Sequence, residues 1–117
     1  MSRATQKGTE FETQVVGYLQ QVFGTRDIVR RAKQGARDTG DIHGLHCRAG
    51  RVVAELKNHA RMDLAGWLGE AERERGEDDA AVGAVIHKRR GVGVKRMGDQ
   101  YVTMSLRDFV ILLGGEP

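Results

Sequence analysis

Two short stretches of the chain are apolar almost throughout, and both are predicted to be central strands. Residues 51–57 and 80–87 place small or branched apolar side chains on both faces of an extended chain. Such strands are typical of a sheet that helices cover on both sides. Glu55 and Lys57 share one face of the first strand, because alternate side chains point the same way. Two charges at the end of a buried strand need partners, which makes them the first candidates for function.

Helical spacing of apolar positions predicts three helices around these strands. Within each, apolar side chains recur three and four residues apart, which gives one apolar stripe and one polar face. Asp63 and Ser105 stand just before the second and third helices, where an N-cap is expected. The predicted helices span residues 9–23, 64–76 and 106–113, and residues 1–7 are expected to form a flexible basic tail.

A predicted hairpin brings two carboxylates together. Residues 48–50 form the turn, so the strand that begins at Asp41 runs back antiparallel to residues 51–57. Asp41 and Glu55 then converge on one point, with Lys57 two residues beyond. The predicted strands span residues 27–33, 41–47, 51–57, 80–87 and 101–105, and residues 34–40 form a loop that leads into Asp41.

The order of these elements indicates the fold class. The chain is predicted to be a single α/β domain over residues 1–117, with a mixed β-sheet flanked by helices in the order αβββαββα. The helix over residues 64–76 supplies the crossover that parallel pairing of residues 51–57 and 80–87 requires.

Glu12 breaks the pattern of the first helix. It falls on the apolar side, between Leu19 and Phe23 in projection, whereas Glu10 faces solvent. A carboxylate on a core-facing stripe needs a partner, and a metal ion or a cationic side chain would supply it. The alternative is a position at the edge of the stripe, where Glu12 reaches water.

Composition indicates the cellular setting. The 117 residues include one cysteine, so no intrachain disulfide can form, as is typical of a reducing compartment. No apolar run approaches the ~20 residues of a membrane span, and the start of the chain lacks the apolar core of a signal peptide. We expect a soluble protein in the cytoplasm of a bacterium or of a phage-infected host cell.

The net charge of +3 is unevenly distributed. Residues 26–51 hold seven Lys/Arg against three Asp, and residues 87–97 hold five Lys/Arg and no acid. Residues 70–79 hold six acids against two arginines. Two basic clusters on a balanced chain suggest a polyanionic partner, most simply nucleic acid. A solvated basic rim is the alternative that charge alone leaves open.

His43, His46 and Cys47 do not predict a zinc site. On one strand the two histidines face opposite sides, and no second pair of ligands follows nearby. We interpret all three as ordinary strand residues.

Three short motifs, in order and on the predicted elements, resemble those of a known enzyme family. They are Lys-Gly-x-x-x-Glu at residues 7–12, Gly-Asp-Ile at residues 40–42 and Glu-Leu-Lys at residues 55–57. The chain resembles the PD-(D/E)XK nuclease superfamily, with its restriction-endonuclease-like core, and within it the Holliday junction resolvase-like group of archaea and phages. Gly40 stands where the family pattern has proline.

The resemblance implies metal-assisted hydrolysis of phosphodiester bonds in DNA. Asp41, Glu55 and the backbone carbonyl of Leu56 would bind Mg²⁺, with Mn²⁺ as a substitute, and Glu12 would complete the metal site. Lys57 would position or deprotonate the attacking water and stabilise charge on the phosphate. The implied catalytic residues are Glu12, Asp41, Glu55 and Lys57.

The resemblance also implies a DNA partner. The small chain leaves no room for a separate sequence-reading domain, which favours recognition of DNA shape. We expect a homodimeric Holliday junction resolvase that cuts branched or four-way junction DNA symmetrically. Basic side chains would position the DNA through its phosphates without reading sequence. The expected phosphate contacts are Lys7, Arg30, Arg31, Lys33, Arg37, Lys88, Arg89 and Arg90.

Three alternatives stay open. The chain is another PD-(D/E)XK endonuclease of nicking, repair or restriction type, a catalytically inactive DNA-binding module of the same fold, or a structural protein of a phage or mobile element. The complete set of implied catalytic residues argues against the inactive module, and the structural protein predicts no metal binding.

Overall fold

The computed structural model describes residues 3–31 and 41–117, with side chains from residue 6 onward. The predicted loop over residues 34–40, Gly40 and two predicted phosphate contacts, Lys33 and Arg37, lie outside the described residues. The described chain forms an α/β fold with a mixed open sheet flanked by helices, as the order of its elements predicts. Among the helices within it, none combines the length and the apolar character needed to cross a membrane.

Two helices of the described residues, the second and third α-helices, begin at the predicted caps. The helices are α1 (Arg3–Phe23), α2 (Leu64–Glu77), a 3₁₀-helix (Val94–Asp99) and α3 (Leu106–Leu112). The Asp63 carboxylate accepts a hydrogen bond from the Gly66 N–H at 3.1 Å, and the Ser105 hydroxyl accepts one from the Asp108 N–H at 3.1 Å. Both predicted N-caps are confirmed. The sequence does not predict the 3₁₀-helix, which lies between the predicted strands over residues 80–87 and 101–105.

The first helix begins earlier than the sequence predicts. α1 starts at Arg3 rather than near residue 9, so residues 3–7 belong to the helix and not to an irregular tail. No proline interrupts this segment, and Gly8 inside a helix costs only about 1 kcal/mol relative to alanine. The helix therefore extends past the core on polar residues alone.

One mixed sheet of six strands forms in the described chain. The strands are β1 (Val29–Arg30), β2 (Ile42–His43), β3 (His46–Cys47), β4 (Gly50–Lys57), β5 (Val82–His87) and β6 (Tyr101–Thr103). The order across the sheet is β1-β2-β4-β5-β6, and β3 also pairs with β4. The pair β4–β5 is parallel and the other pairs are antiparallel. The central parallel strands are the two whose apolar sequence predicts burial on both faces.

Gly44 divides the predicted strand over residues 41–47 into β2 and β3. Its φ angle is +99°, in the left-handed region that favours glycine. A Cβ at this position would collide with the backbone carbonyl of Asp27. Both halves still pair antiparallel with β4, so the predicted hairpin is confirmed although its first strand is interrupted.

The sheet separates two apolar layers. On one face, Phe11 and Val15 of α1 pack in a cluster with Leu56 of β4. On the other face, Trp67 of α2 packs against Val85 of β5, and α3 lies beside α2. Trp67 is 6% exposed, which confirms the prediction that it belongs to the core. The structure is thus three layers, with the sheet in the middle.

Candidate active site

Asp41 and Glu55 meet across neighbouring strands, as the sequence predicts. Ile42 of β2 lies opposite Ala54 of β4, and Asp41, the residue before β2, lies close enough to Glu55 for the charge of Glu55 to act on its carboxyl group. The Asp41 N–H donates to the Ala54 carbonyl at 3.0 Å, and the Leu56 N–H donates to Asp41 Oδ2 at 2.7 Å. The second bond holds the carboxylate of Asp41 beside β4.

The surroundings of Asp41 disfavour its ionised form. Burial and then the charge of Glu55 raise the pKa of Asp41 from 3.8 to about 7, and the charge of Glu12 adds to the rise. The hydrogen bond from Leu56 and the ammonium of Lys57 act in the opposite direction. Negative charge is therefore crowded at this point, and a bound cation would relieve the crowding.

Glu55 is buried with one of its oxygens unpaired. Its side chain is 10% exposed, and Oε1 lies 3.5 Å from Lys57 Nζ. Oε2 is buried and has no hydrogen-bond partner among the described residues. Leaving such an oxygen unpaired costs roughly 1–3 kcal/mol or more. Together with Asp41 opposite, this oxygen fits a hard cation such as Mg²⁺, which prefers carboxylate and carbonyl oxygens.

Lys57 shares the α2 face of the sheet with Glu55. Its Nζ donates a hydrogen bond to Glu70 Oε2 at 2.8 Å, and its side chain is 14% exposed. Burial lowers the pKa of Lys57, but the hydrogen bond to Glu70 and the charges of both glutamates outweigh burial and raise it above 10.5. Lys57 is therefore a protonated ammonium held between two carboxylates.

Two glutamates of α2 face the site, although charged residues on an amphipathic helix are normally assigned to its exposed side. Glu70 is half-buried, Glu74 is fully buried, and one oxygen of each lies within 4.8 Å of a Glu55 oxygen. Helical spacing explains the difference, because Glu70 and Glu74 follow Trp67 by three and seven residues and share its buried stripe with Ala71. The stripe is the signal that could have identified them.

Glu12 of α1 is held by a cationic side chain, and its charge acts on Asp41. Its Oε2 accepts hydrogen bonds from Nε and Nη2 of Arg30 at 3.1 and 2.9 Å. The expected partner is thus present as a cationic side chain, and coordination of a metal by Glu12 stays a prediction. Arg30 and Arg31 are both engaged in ion pairs, since Arg31 lies 3.5 Å from Asp78 Oδ1. Each guanidinium would have to share or leave its carboxylate partner in order to bind a phosphate.

The other predicted phosphate contacts differ in what they bind. Lys88 Nζ donates to the backbone carbonyls of Arg89 and Val92, so it ties the loop after β5 together. Arg89 and Arg90 are exposed, and the guanidinium of Arg89 lies 5.6 Å from the ring centroid of Tyr101. Lys7 is also exposed, on α1. The loop arginines are the basic side chains best placed to meet a polyanion.

His87 belongs to the packing beside the site. It pairs with Lys57 in the β4–β5 register, and its ring lies 5.2 Å from the rings of both Trp67 and Tyr101. Its Nε2 shares a hydrogen bond of 2.8 Å with the Thr103 hydroxyl. Burial lowers the pKa of His87, which keeps the imidazole neutral at neutral pH. His87 is 3% exposed and belongs to the packed core next to Lys57.

Comparison of the chain with known protein families, with curated proteins and with solved structures finds no match.

Proposed function

We propose that the chain is a metal-dependent nuclease of the restriction-endonuclease-like class. The observation that carries the proposal is the approach of Asp41 to β4, where its carboxylate accepts a hydrogen bond from the Leu56 N–H and the charge of Glu55 acts on it. Lys57 lies beside Glu55 on β4, with Nζ 3.5 Å from Glu55 Oε1. The unpaired buried oxygen of Glu55 supports a cation at this point. The presence of a lysine beside the two carboxylates favours an enzyme over an inactive module of the same fold.

The proposed metal ligands lie on β4 and at Asp41, the residue just before β2. Asp41, Glu55 and the Leu56 carbonyl would hold Mg²⁺, with waters completing its coordination. When bound, Mg²⁺ polarises the scissile phosphate and lowers the pKa of an attacking water. Glu12 would join the site directly or through a water, while Arg30 holds its carboxylate in place.

Lys57 would act on the phosphate group. Its ammonium places positive charge where negative charge develops as the phosphorus–oxygen bond breaks. The bond to Glu70 supports this donor role over deprotonation of the water. Lys57 then provides both orientation and electrostatic stabilisation.

The basic loop after β5 supports DNA as the substrate. Because β4 and β5 are parallel and Lys57 pairs with His87, the loop starts at the edge of the sheet that carries Lys57. Arg89 and Arg90 are exposed in that loop, where they can bind phosphates on either side of the cut. Contacts of this kind position the backbone without reading bases.

Within this class, we propose a structure-selective endonuclease that acts on branched DNA, similar to a Holliday junction resolvase. Resolution of a four-way junction needs two symmetric cuts, so the active form would be a homodimer with two sites. A nicking, repair or restriction-type endonuclease shares the chemistry and differs in substrate.

Cleavage of labelled four-way junction, nicked, flap and linear duplex DNA with Mg²⁺ tests the proposed substrate. Paired symmetric cuts confined to the junction are expected. Equal cutting of linear duplex would keep the nuclease and exclude the resolvase. Binding without cleavage of any substrate, with Mg²⁺ or Mn²⁺, would contradict the enzyme and favour the DNA-binding module.

A further inference from the structure

The ammonium of Lys57 lies between carboxylates from two different elements. Nζ is 2.8 Å from Glu70 Oε2 on α2 and 3.5 Å from Glu55 Oε1 on β4. Because the Lys57 side chain is 14% exposed, water has little access to replace either partner. The shorter contact is to the glutamate that the proposed metal centre does not use.

The packing of α2 fixes the place of Glu70. Trp67, three residues before it, and Ala71, the next residue, are both buried against the sheet. Asp63 caps the first turn through the Gly66 N–H, which holds the start of the helix. The helix therefore holds the carboxylate of Glu70 next to Lys57, and α2 is an element separate from β2 and β4.

We propose that Glu70 is a positioning residue, which holds the Lys57 ammonium off Glu55 and keeps the Glu55 carboxylate available to a divalent cation. This rests on the proposed function, because it assumes a cation at Glu55. If Glu70 were neutral, Lys57 would turn to Glu55, the carboxylate it already approaches at 3.5 Å. The resulting ion pair would compete with the cation for the same oxygens.

The closeness of Glu55, Glu70 and Glu74 raises a different role for Glu70, as a ligand itself. One oxygen of each lies within 4.8 Å of the others. The two roles differ in their dependence on Lys57. A ligand holds the cation whether or not Lys57 is present, whereas a positioning residue acts only through Lys57. A double-mutant cycle separates the two roles.

The test is Mn²⁺ binding by four proteins without DNA, followed by electron paramagnetic resonance. The proteins are the unmutated chain, Glu70→Gln, Lys57→Met and the double variant. Glu70→Gln is expected to weaken Mn²⁺ binding about tenfold in the presence of Lys57, the usual scale for a residue that orients a metal ligand. In the Lys57→Met background the same change is expected to alter binding less than about twofold. Lys57→Gln replaces Lys57→Met if the latter does not fold.

Glu72→Gln is the matched control. It removes the same charge from the same helix, at an exposed side chain that pairs with Arg75 away from Lys57. Its Mn²⁺ affinity should equal that of the unmutated chain. An equal loss from Glu70→Gln in both backgrounds would overturn the positioning role and make Glu70 a ligand. No loss in either background, or no Mn²⁺ binding by the unmutated chain, would also overturn it.

Cleavage separates this inference from the proposed function. In an active protein, Glu70→Gln should lower the rate at saturating DNA about tenfold and leave KM unchanged, and raised Mg²⁺ should restore part of the rate. An unmutated chain that binds Mn²⁺ but cuts no DNA would contradict the nuclease alone, and the Mn²⁺ cycle would still decide the role of Glu70.

Discussion

The carboxylate of Asp41 governs how the site responds to pH. Burial and the neighbouring charge of Glu55 raise its pKa from 3.8 to about 7. Between these two values the folded chain binds more protons than the unfolded chain, so this residue lowers the free energy of unfolding as pH rises. Above pH 7 Asp41 is ionised in the folded chain, and the full loss of stability from its raised pKa is present. Holding the carboxylates of Asp41 and Glu55 close together therefore lowers the free energy of unfolding.

Replacing Asp41 by asparagine should remove this cost. Without divalent metal, the free energy of unfolding of Asp41→Asn is expected to exceed that of the unmutated chain by about 4 kcal/mol at pH 8 and by little near pH 4. Urea unfolding at both pH values measures this. A difference between the two proteins that is the same at pH 4 and pH 8 would contradict the pKa assigned to Asp41. Added Mg²⁺ should stabilise the unmutated chain more than the variant at pH 8.

The sequence predicts some residues of the site and misses others for a physical reason. Asp41, Glu55 and Lys57 follow from the two-residue alternation of strands and from one turn. Glu70 and Glu74 are missed because charged residues on an amphipathic helix are normally assigned to solvent. Their position depends on how α2 rotates on the sheet, which Trp67 decides.

At the scale of elements, the bend at Gly44 shapes the strand that delivers Asp41. The strand over residues 41–47 reads as continuous in sequence because its alternation does not reveal a positive φ. Glycine is also required there by the close approach of the Asp27 carbonyl, a contact between segments distant in sequence. The central strands β4 and β5 were predictable, because a sequence that is apolar on both faces of a strand predicts burial on both faces. The early start of α1 was not predictable, because its first turns are polar and show no apolar stripe at helical spacing.

A methyl group at Gly44 should therefore be costly. Gly44→Ala is expected to lower the free energy of unfolding by about 2 kcal/mol or more, through the unfavourable φ and the collision with Asp27. Gly17→Ala is the matched control in α1, where no atom lies within 4 Å of the added Cβ. It should raise stability by about 0.5–1 kcal/mol. Urea unfolding of both variants measures the effects, and a neutral Gly44→Ala would exclude the strained bend.

At the scale of the whole molecule, charge is divided between the two ends of β5. Exposed arginines follow its carboxyl end, beside Lys57, whereas Asp108 of α3 accepts a hydrogen bond from the Gly83 N–H near its amino end at 3.0 Å. A polyanion is expected to bind at the first end. The neighbouring Arg107 on α3 is exposed at the second end and provides a reference for charge alone.

Removing one arginine at each end should separate location from net charge. Arg89→Gln is expected to weaken DNA binding and to reduce the slope of log K against log salt by about 1, as for the loss of one phosphate contact. Arg107→Gln removes the same charge and should leave the slope unchanged. Fluorescence anisotropy with labelled junction DNA at several salt concentrations measures both. Equal effects of the two variants would indicate a diffuse field instead of a defined DNA surface.

The most direct test of the proposed metal centre is cleavage by Glu55→Gln, which keeps the shape of the side chain and removes its charge. With Mg²⁺ and four-way junction DNA, cleavage should fall by about 100-fold or more, since even residues that only orient metal ligands cost 10–100-fold. DNA binding in the presence of EDTA should be retained, and Glu72→Gln should cleave normally. Unchanged cleavage by Glu55→Gln would contradict the assignment of this carboxylate to the catalytic metal.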